Sequence, residues 1–347
     1  MARHGYEPVV YDNLSRGNRW AARFGMFELG DIGDAARLRS VLEKFRPSAV
    51  VHFAAYAYVG ESVANPLLYY LNNVGETASL LPTLIDFEAT PVVFSSSCAT
   101  YGFNRLPISE DHPQQPINHY GYSKLVVERM LRDIDAAHNL RSVSLRYFNA
   151  AGADPEAEIG EAHEPETHLI PLVLAAARDG TAIKVFGNDY DTADGTCIRD
   201  YVHVLDIADA HVKALKYLID GGATCAVNLA NERGYSVLEV VATAERVTGK
   251  SIHVELVPRW PGDAAVLIGA LEKARTLLGW KPERSDLEVQ IRDEMDDATI
   301  VSARWPALGG WRHPRCSPSE VAHKAQNLHA SWARLASNVV SCWTEAR

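Results

Sequence analysis

The chain has 347 residues, 47% hydrophobic and 22% charged, with a formal net charge of −10. That is enough apolar material for one large or two medium globular domains, and a net acidic chain with scattered lysines is a poor partner for nucleic acid. No apolar run approaches the roughly 18 residues of a membrane span, and Met1-Ala2-Arg3-His4-Gly5 lacks the apolar core of a signal peptide.

In chain order, Pro8-Val9-Val10-Tyr11 is a β-prone run that closes at Asp12-Asn13. Residues 34 to 45 place Ala35, Leu38, Val41, Leu42 and Phe45 at helical spacing, and residues 49 to 54 read as a buried strand. A long helical pattern covers 66 to 87, with Pro82 predicting a kink. Pro91-Val92-Val93-Phe94 is a strand that delivers Ser95, Ser96 and Ser97 at its end, and residues 120 to 138 carry a helix. Ser142-Val143-Ser144-Leu145-Arg146-Tyr147 is another strand. This alternation predicts an α/β fold with a parallel, doubly wound, Rossmann-like sheet. Beyond residue 150 a Glu-rich excursion (151 to 167) leaves the sheet. Helices near 169–179, 205–219 and 236–248 then alternate with short strands, predicting a smaller α+β domain. The five cysteines, Cys98, Cys197, Cys225, Cys316 and Cys342, have no metal-site spacing; they read as free or buried thiols of a cytoplasmic protein that binds no metal.

Tyr120 and Lys124 stand four residues apart, so on a helix the ammonium shares a face with the phenol. A free phenol, with a pKa of about 10, is a poor base at neutral pH, and a neighbouring cation favours its ionised form. Bringing it into the neutral range takes roughly 4 kcal/mol of differential stabilisation. A hydroxyl of the serine run is placed to relay a proton between that phenolate and a substrate alcohol. The pattern points to hydride chemistry on an alcohol. The bland alternative is a helix-start aromatic beside a solvated lysine.

A dinucleotide fold places a Gly-rich turn after its first strand, and an acidic residue for the adenine ribose about 20 residues later. No such turn is found here. Asp12 at the end of the first visible strand fits the ribose position, and by position alone it fits a plain strand-end turn residue equally well. The chain is therefore expected to begin inside the first helix of the fold. Its first strand and phosphate loop would be missing, leaving an unpaired edge in the middle of the sheet and weak cofactor retention.

With these features in hand, the sequence resembles the extended short-chain dehydrogenases, and within them the NAD-dependent UDP-sugar 4-epimerases of the UDP-glucose 4-epimerase type. The segments that carry the resemblance run from about residue 5 to 291. They are Tyr11-Asp12-Asn13-Leu14, Gly30-Asp31-Ile32, His52-Phe53-Ala54-Ala55, Val59-Gly60-Glu61-Ser62-Val63, Phe94 with its serines, Tyr101-Gly102, Tyr120 with Lys124, Arg146-Tyr147-Phe148-Asn149, Phe186-Gly187-Asn188-Asp189-Tyr190, and Asp194-Gly195-Thr196 leading to Arg199-Asp200-Tyr201.

The resemblance implies that Ser97, Tyr120 and Lys124 are catalytic, with Tyr120 the base. It implies that Asp12, Asn13, Asp31, Ile32, Phe53, Ala54 and Tyr147 contact NAD, and that Asn149, Phe186, Arg199 and Asp263 contact the UDP-sugar. The implied reaction is interconversion of UDP-galactose and UDP-glucose through a 4-keto sugar, in a homodimer that touches neither membrane nor nucleic acid. A UDP-pentose 4-epimerase and a catalytically impaired UDP-sugar-binding remnant are the alternatives. A dehydratase is disfavoured because Cys98 and Ala99 follow Ser97 where that reaction places an Asp-Glu pair. The implied organisation is an incomplete NAD-binding domain over 1–165 and a UDP-sugar domain over 166–295. The stretch of about 200–220 returns to the first domain, and 296–347 is an atypical tail containing Trp305, Trp311, Trp332 and Trp343. Two further departures stand out. Trp260 replaces an arginine in Arg259-Trp260-Pro261-Gly262-Asp263. Glu76 replaces a small residue in Asn72-Asn73-Val74-Gly75-Glu76-Thr77, where an unpaired buried carboxylate would protonate.

Overall fold

The computed structural model describes residues 1–87, 90–102, 107–156, 158–162, 166–259, 264–304 and 339–345. The first half alternates strand and helix. Strand β1 (Tyr6–Asp12) and β2 (Met26–Leu29) precede helix α1 (Ala35–Phe45), which Asp34 caps by accepting from the Arg37 amide at 3.0 Å. Next come β3 (Ala49–His52), α2 (Val59–Ala64), α3 (Pro66–Tyr69), a π-helical stretch Tyr70–Glu76, and α4 (Thr77–Asp86). Strand β4 (Val92–Ser97), the twenty-residue α5 (His119–His138) and β5 (Ser142–Tyr147) complete this half.

In the second half β6 (Asn149–Ala151), α6 (Leu169–Asp179), β7 (Ala182–Phe186) and β8 (Ile198–His203) lead to α7 (Val204–Ile219) and β9 (Cys225–Leu229). Then follow β10 (Gly234–Ser236), α8 (Val237–Thr248), β11 (His253–Val257), β12 (Val266–Leu267), α9 (Glu272–Leu278), α10 (Leu287–Arg304) and β13 (Val339–Glu345). A capping box between Ser236 and Glu239 starts α8.

The main sheet has the order β2-β1-β13-β3-β4-β5-β9. Apart from β13, its neighbouring strands pair in parallel, so Asp12, His52, Ser97 and Tyr147 emerge at one edge, the carboxyl edge where open α/β sheets place their chemistry. On one face Leu38, Leu42, Leu80, Leu84, Val127 and Leu131 of α1, α4 and α5 pack against Val9, Val50, Val92 and Phe94. On the other, α7 and α9 with Trp280 cover Val51, Val93, Val143 and Leu145, and the Trp280 indole donates to the Asp206 carbonyl at 2.8 Å. A separate core under α6, α8 and α10 holds the smaller domain together. No described helix is long and apolar enough to cross a membrane.

Three expectations change. The helix expected over 66–87 is interrupted by the π-helical stretch rather than kinked at Pro82, which lies inside α4. Here buried Asn73 ties elements together. Its Oδ1 accepts from the Tyr56 amide at 2.7 Å, and its Nδ2 donates to the Tyr56 carbonyl and to Ser123 Oγ of α5. Second, the β4 strand runs on through the serines to Ser97 rather than stopping at Phe94.

Third, the middle of the sheet has no open edge. β13 runs antiparallel between β1 and β3, from Tyr6 opposite Glu345 to Asp12 opposite Val339, and with Val340 opposite His52. Two facing strand edges leave amides and carbonyls that must find partners, and Val339-Val340-Ser341-Cys342-Trp343-Thr344 is β-prone. Ending the chain before Val339 therefore reopens both edges. At about 1 kcal/mol net per hydrogen bond, the unfolding free energy should fall by on the order of 5 kcal/mol. Urea unfolding and light scattering check this, and an unchanged midpoint without aggregation contradicts the pairing.

Candidate active site

The reactive group forms where the start of α5 meets the end of β4. Asn118 caps α5, its Oδ1 accepting from the Gly121 amide at 2.8 Å. Gly121 is needed there because a Cβ would fall 2.2 Å from the Ala99 carbonyl oxygen. This contact presses Tyr120 onto the turn that follows β4. Ser97 caps that turn by accepting from the Ala99 amide at 3.1 Å, and its hydroxyl is near enough to the Tyr120 phenol to favour the phenolate.

Lys124, one turn on, is buried. Its Nζ donates to the Ser95 carbonyl at 2.7 Å and lies 4.9 Å from the Phe94 ring centroid and 5.8 Å from that of Tyr120. Burial lowers the ammonium to about 7, with the Glu128 carboxylate pulling the other way. The phenol departs from the simple expectation of a lysine-depressed base. Desolvation pushes Tyr120 above its ordinary value, and Tyr147 and Cys98 add to the rise, while the Ser97 hydroxyl opposes it. Lys124 Nζ bonds a main-chain carbonyl of β4 rather than the phenol, and its charge does not offset the desolvation of Tyr120. Beside them the Tyr147 hydroxyl shares a short hydrogen bond with Ser95 Oγ. Its ring and that of half-exposed Phe53 face His211 of α7, at 6.2 and 4.8 Å between centroids, while Ala54 is buried behind.

A second cluster lies at the end of β1. Asp12 is nearly fully buried, Oδ1 accepts from the Leu14 amide at 2.5 Å, and desolvation raises its carboxyl. A Cβ at Gly17 would come 2.6 Å from Asp12 Oδ2, so only glycine leaves that oxygen open. Asn13 Nδ2 donates to Asp31 Oδ2 at 2.8 Å, Asp31 Oδ1 accepts from the Gly33 amide at 2.9 Å, and Ile32 is buried beneath. Glu76 reaches the same place. Desolvation first, then the charge of Asp31, hold the Glu76 carboxyl above its usual range.

The remaining residues sit on the smaller sheets. β6 pairs with β8 in parallel, Asn149 opposite Tyr201, which sets half-buried Asn149 close to Arg199. Arg199 Nη1 donates to the Ile198 carbonyl, and its charge reaches the Cys98 thiol, next to Ser97. Phe186 is 37% exposed at the end of β7, in a two-stranded sheet with β11. Arg259 meets Asp189 at 3.6 Å and the Tyr190 ring. Asp263 and Trp260 lie outside the described residues.

Sequence reasoning missed several groups that shape this edge. Asn73 was visible as a polar residue in an apolar helical pattern. Arg16, which pairs with both Glu61 carboxylate oxygens and lies 4.2 Å from the Tyr56 ring centroid, carries no local signal, nor does His211.

Residues 1–230 match the model of the NAD dependent epimerase/dehydratase family. The chain is 50% identical to a UDP-glucose 4-epimerase of Rhizobium leguminosarum bv. trifolii over 300 residues, 85% of this chain and 91% of the relative. Among solved structures it resembles a UDP-glucose 4-epimerase from Brucella ovis in complex with NAD, with a TM-score of 0.83 and 52% identity over 85% of this chain and 91% of that one. A UDP-glucose 4-epimerase from Bifidobacterium longum in complex with NAD+ and UDP gives a TM-score of 0.81 and 35% identity over 86% of this chain and 92% of that one.

Two outcomes follow from the geometry. Gly121→Ala drives a methyl into the Ala99 carbonyl and should cost about 1–3 kcal/mol in urea unfolding, whereas Gly60→Ala, inside α2 with open space around it, should lose nothing. Lys124 titrates at about 7 when folded against an ordinary 10.5, so between these values the unfolded chain binds the extra proton and stability rises with pH. Lys124→Met should flatten that rise and make the protein more stable at pH 7, by about 1–3 kcal/mol. Denaturation across pH 6 to 10 checks it, and equal slopes in the two proteins refute it.

Proposed function

Because the chain belongs to the NAD dependent epimerase/dehydratase family, we propose that it is an NAD-dependent UDP-glucose 4-epimerase, interconverting UDP-galactose and UDP-glucose through a 4-keto sugar. The observation that carries this reading is Tyr120 at the start of α5 facing Ser97 at the end of β4, with buried Lys124 one turn along and bonded to the Ser95 carbonyl.

The residues present fit the cofactor at two places. Asp12, with the opening that a Cβ at Gly17 would fill, suits a ribose diol, and Asp31 with Asn13 lines the adenine end beside Ile32. Phe53, Ala54, Tyr147 and Lys124 line the path to the other end. When bound, NAD would supply a hydride acceptor and donor for C4 of the sugar, together with a positive charge. Tyr120 takes the C4 hydroxyl proton, through Ser97, and gives it back after the sugar has turned. Lys124 favours the phenolate by its charge and fixes the start of α5 on β4. Asn149 and Arg199 hold the diphosphate, Arg199 with the planar fork that matches phosphate oxygens, and Phe186 packs on the uracil. Asp263 is assigned to the same substrate. This anchoring lets binding energy act away from the reacting carbon while the sugar rotates. In this reading residues 1–165 serve NAD and 166–295 the UDP-sugar, with α7 returning to the first unit. A nucleotide-sugar substrate and NAD support a cytoplasmic location.

The protein also pairs with a second copy of itself. Val59, Val63, Leu67 and Leu71 form an i, i+4 row of 46–65% exposed apolar side chains along α2, α3 and the π-helical stretch, and Tyr122 of α5, against Tyr70, is exposed as well. An apolar stripe of this kind on packed helices suits a self-complementary interface.

Tyr120→Phe should cut conversion of UDP-galactose to UDP-glucose by about 10²–10⁴-fold while leaving UDP affinity nearly intact, because the ring still packs but accepts no proton. Undiminished turnover sinks the assignment, and UDP binding without turnover in the wild type favours a binding-only protein. Leu67→Glu with Leu71→Glu should convert a dimer to a monomer in sedimentation. A wild type that is already monomeric contradicts the pairing.

A further inference from the structure

Behind the reactive group lies a charge pair that the mechanism above does not use. α5 carries Tyr120, Lys124 and Glu128 four residues apart, in one stripe. Glu128 and Arg146 are 3% and 4% exposed, buried together between α5 and the sheet. Arg146 of β5 donates to Glu128 through Nε at 2.9 Å and Nη2 at 2.5 Å, a two-pronged contact. Glu128 also accepts from Ser96 Oγ of β4 at 2.5 Å and from Gln114 Nε2 at 3.1 Å. The third arm of Arg146 donates to the Tyr101 hydroxyl at 2.7 Å, which in turn donates to Asn228 Oδ1 of β9 at 2.7 Å. Ser96 and Arg146 face each other across the β4–β5 ladder, one residue from the Ser97–Tyr147 pair. The network thus bolts the reactive stripe of α5 to the two strands that carry the other reactive groups.

A buried ion pair is a poor way to gain stability, since a matched apolar pair does as well or better. Its presence here calls for another benefit. The only other buried charge on the stripe is Lys124. The groups facing Lys124 are the Ser95 carbonyl and Phe94 ring from β4, His52 from β3, kept neutral by burial, and Tyr120 and Glu128 on its own helix. Glu128 is the one anion among them.

We propose that Glu128, held by Arg146, is a positioning residue for the reaction: it fixes the height of Tyr120 and Lys124 over the ends of β4 and β5 and sets a carboxylate one turn from the Lys124 ammonium. This rests on the reading of Tyr120 as base and Lys124 as its cation. Without the carboxylate, burial acts on the amine with little opposition and the ammonium is lost at a lower pH.

The test uses Glu128→Gln and, because a lone buried Arg146 threatens folding, a second protein with Glu128→Gln and Arg146→Met together, a neutral pair of similar size. In each background the titration of Lys124 is read without turnover, from the pH at which its stability difference from the Lys124→Met form begins to change. Loss of Glu128 should move that onset down by about one pH unit. In the NAD-loaded enzyme the alkaline fall in kcat should move down by a similar amount, with kcat at pH 8 reduced about tenfold and KM for UDP-galactose unchanged. A kcat lowered equally at every pH, or an onset that stays in place, overturns the proposal in favour of a purely structural pair. A shifted onset with an unmoved kcat profile overturns the positioning role. Absence of turnover in the wild type defeats the epimerase reading itself, while the stability onset still decides whether Glu128 holds the lysine proton.

Discussion

The methyl-free α-carbon of Gly121 lets the first turn of α5 rest on the Ala99 carbonyl, with no side chain between helix and sheet. Tyr120 meets Ser97 because of that contact, and Lys124 reaches the Ser95 carbonyl one turn further along. The helix is held from three sides: Asn118 caps its start, Asn73 bonds Ser123 from the π-helical stretch, and Glu128 and Arg146 tie its middle to β5. A shift of an ångström in this seat would separate the hydroxyls from each other, and such displacements are costly in catalysis.

The electrostatics of the site follow from its dryness. The same burial that pushes Tyr120 up brings Lys124 down, so neither group is in its reactive charge state by virtue of its own chemistry. The Ser97 hydroxyl and Glu128 each pull one partner back toward the useful form. At the other end Asp12 lies by the space that Gly17 leaves, and Asp31 and Glu76 lie close together, where a ribose diol and an adenine amino group offer donors. That acidic surround suits NAD, and a ribose phosphate would meet repulsion there.

Much of this was legible in the sequence because it is local. The serine run, the Tyr120–Lys124 spacing and Asp12 at a strand end each lie in a few consecutive residues. The period-two and period-3.6 patterns around them predict the right elements. What was not legible depends on contacts between distant segments. The π-helical winding at Tyr70–Glu76 answers to Tyr56 and Ser123 rather than to its own residues. Glu128 and Arg146 read separately as a helix charge and a strand charge, and only their shared burial makes them a pair. β13 was the largest miss, since a strand's place in a sheet is set by the edges open to it, and its partners lie some three hundred residues earlier in the chain.

The account stands on a hydride that leaves C4 of the sugar and returns to the same carbon while Tyr120 handles the hydroxyl proton. UDP-galactose carrying deuterium at C4, converted by the purified protein in ordinary water, reads this directly by mass spectrometry and NMR of the product. The account predicts UDP-glucose that keeps the deuterium at C4 with no exchange into solvent. Product that has lost the label to water, or that carries it at another carbon, contradicts it.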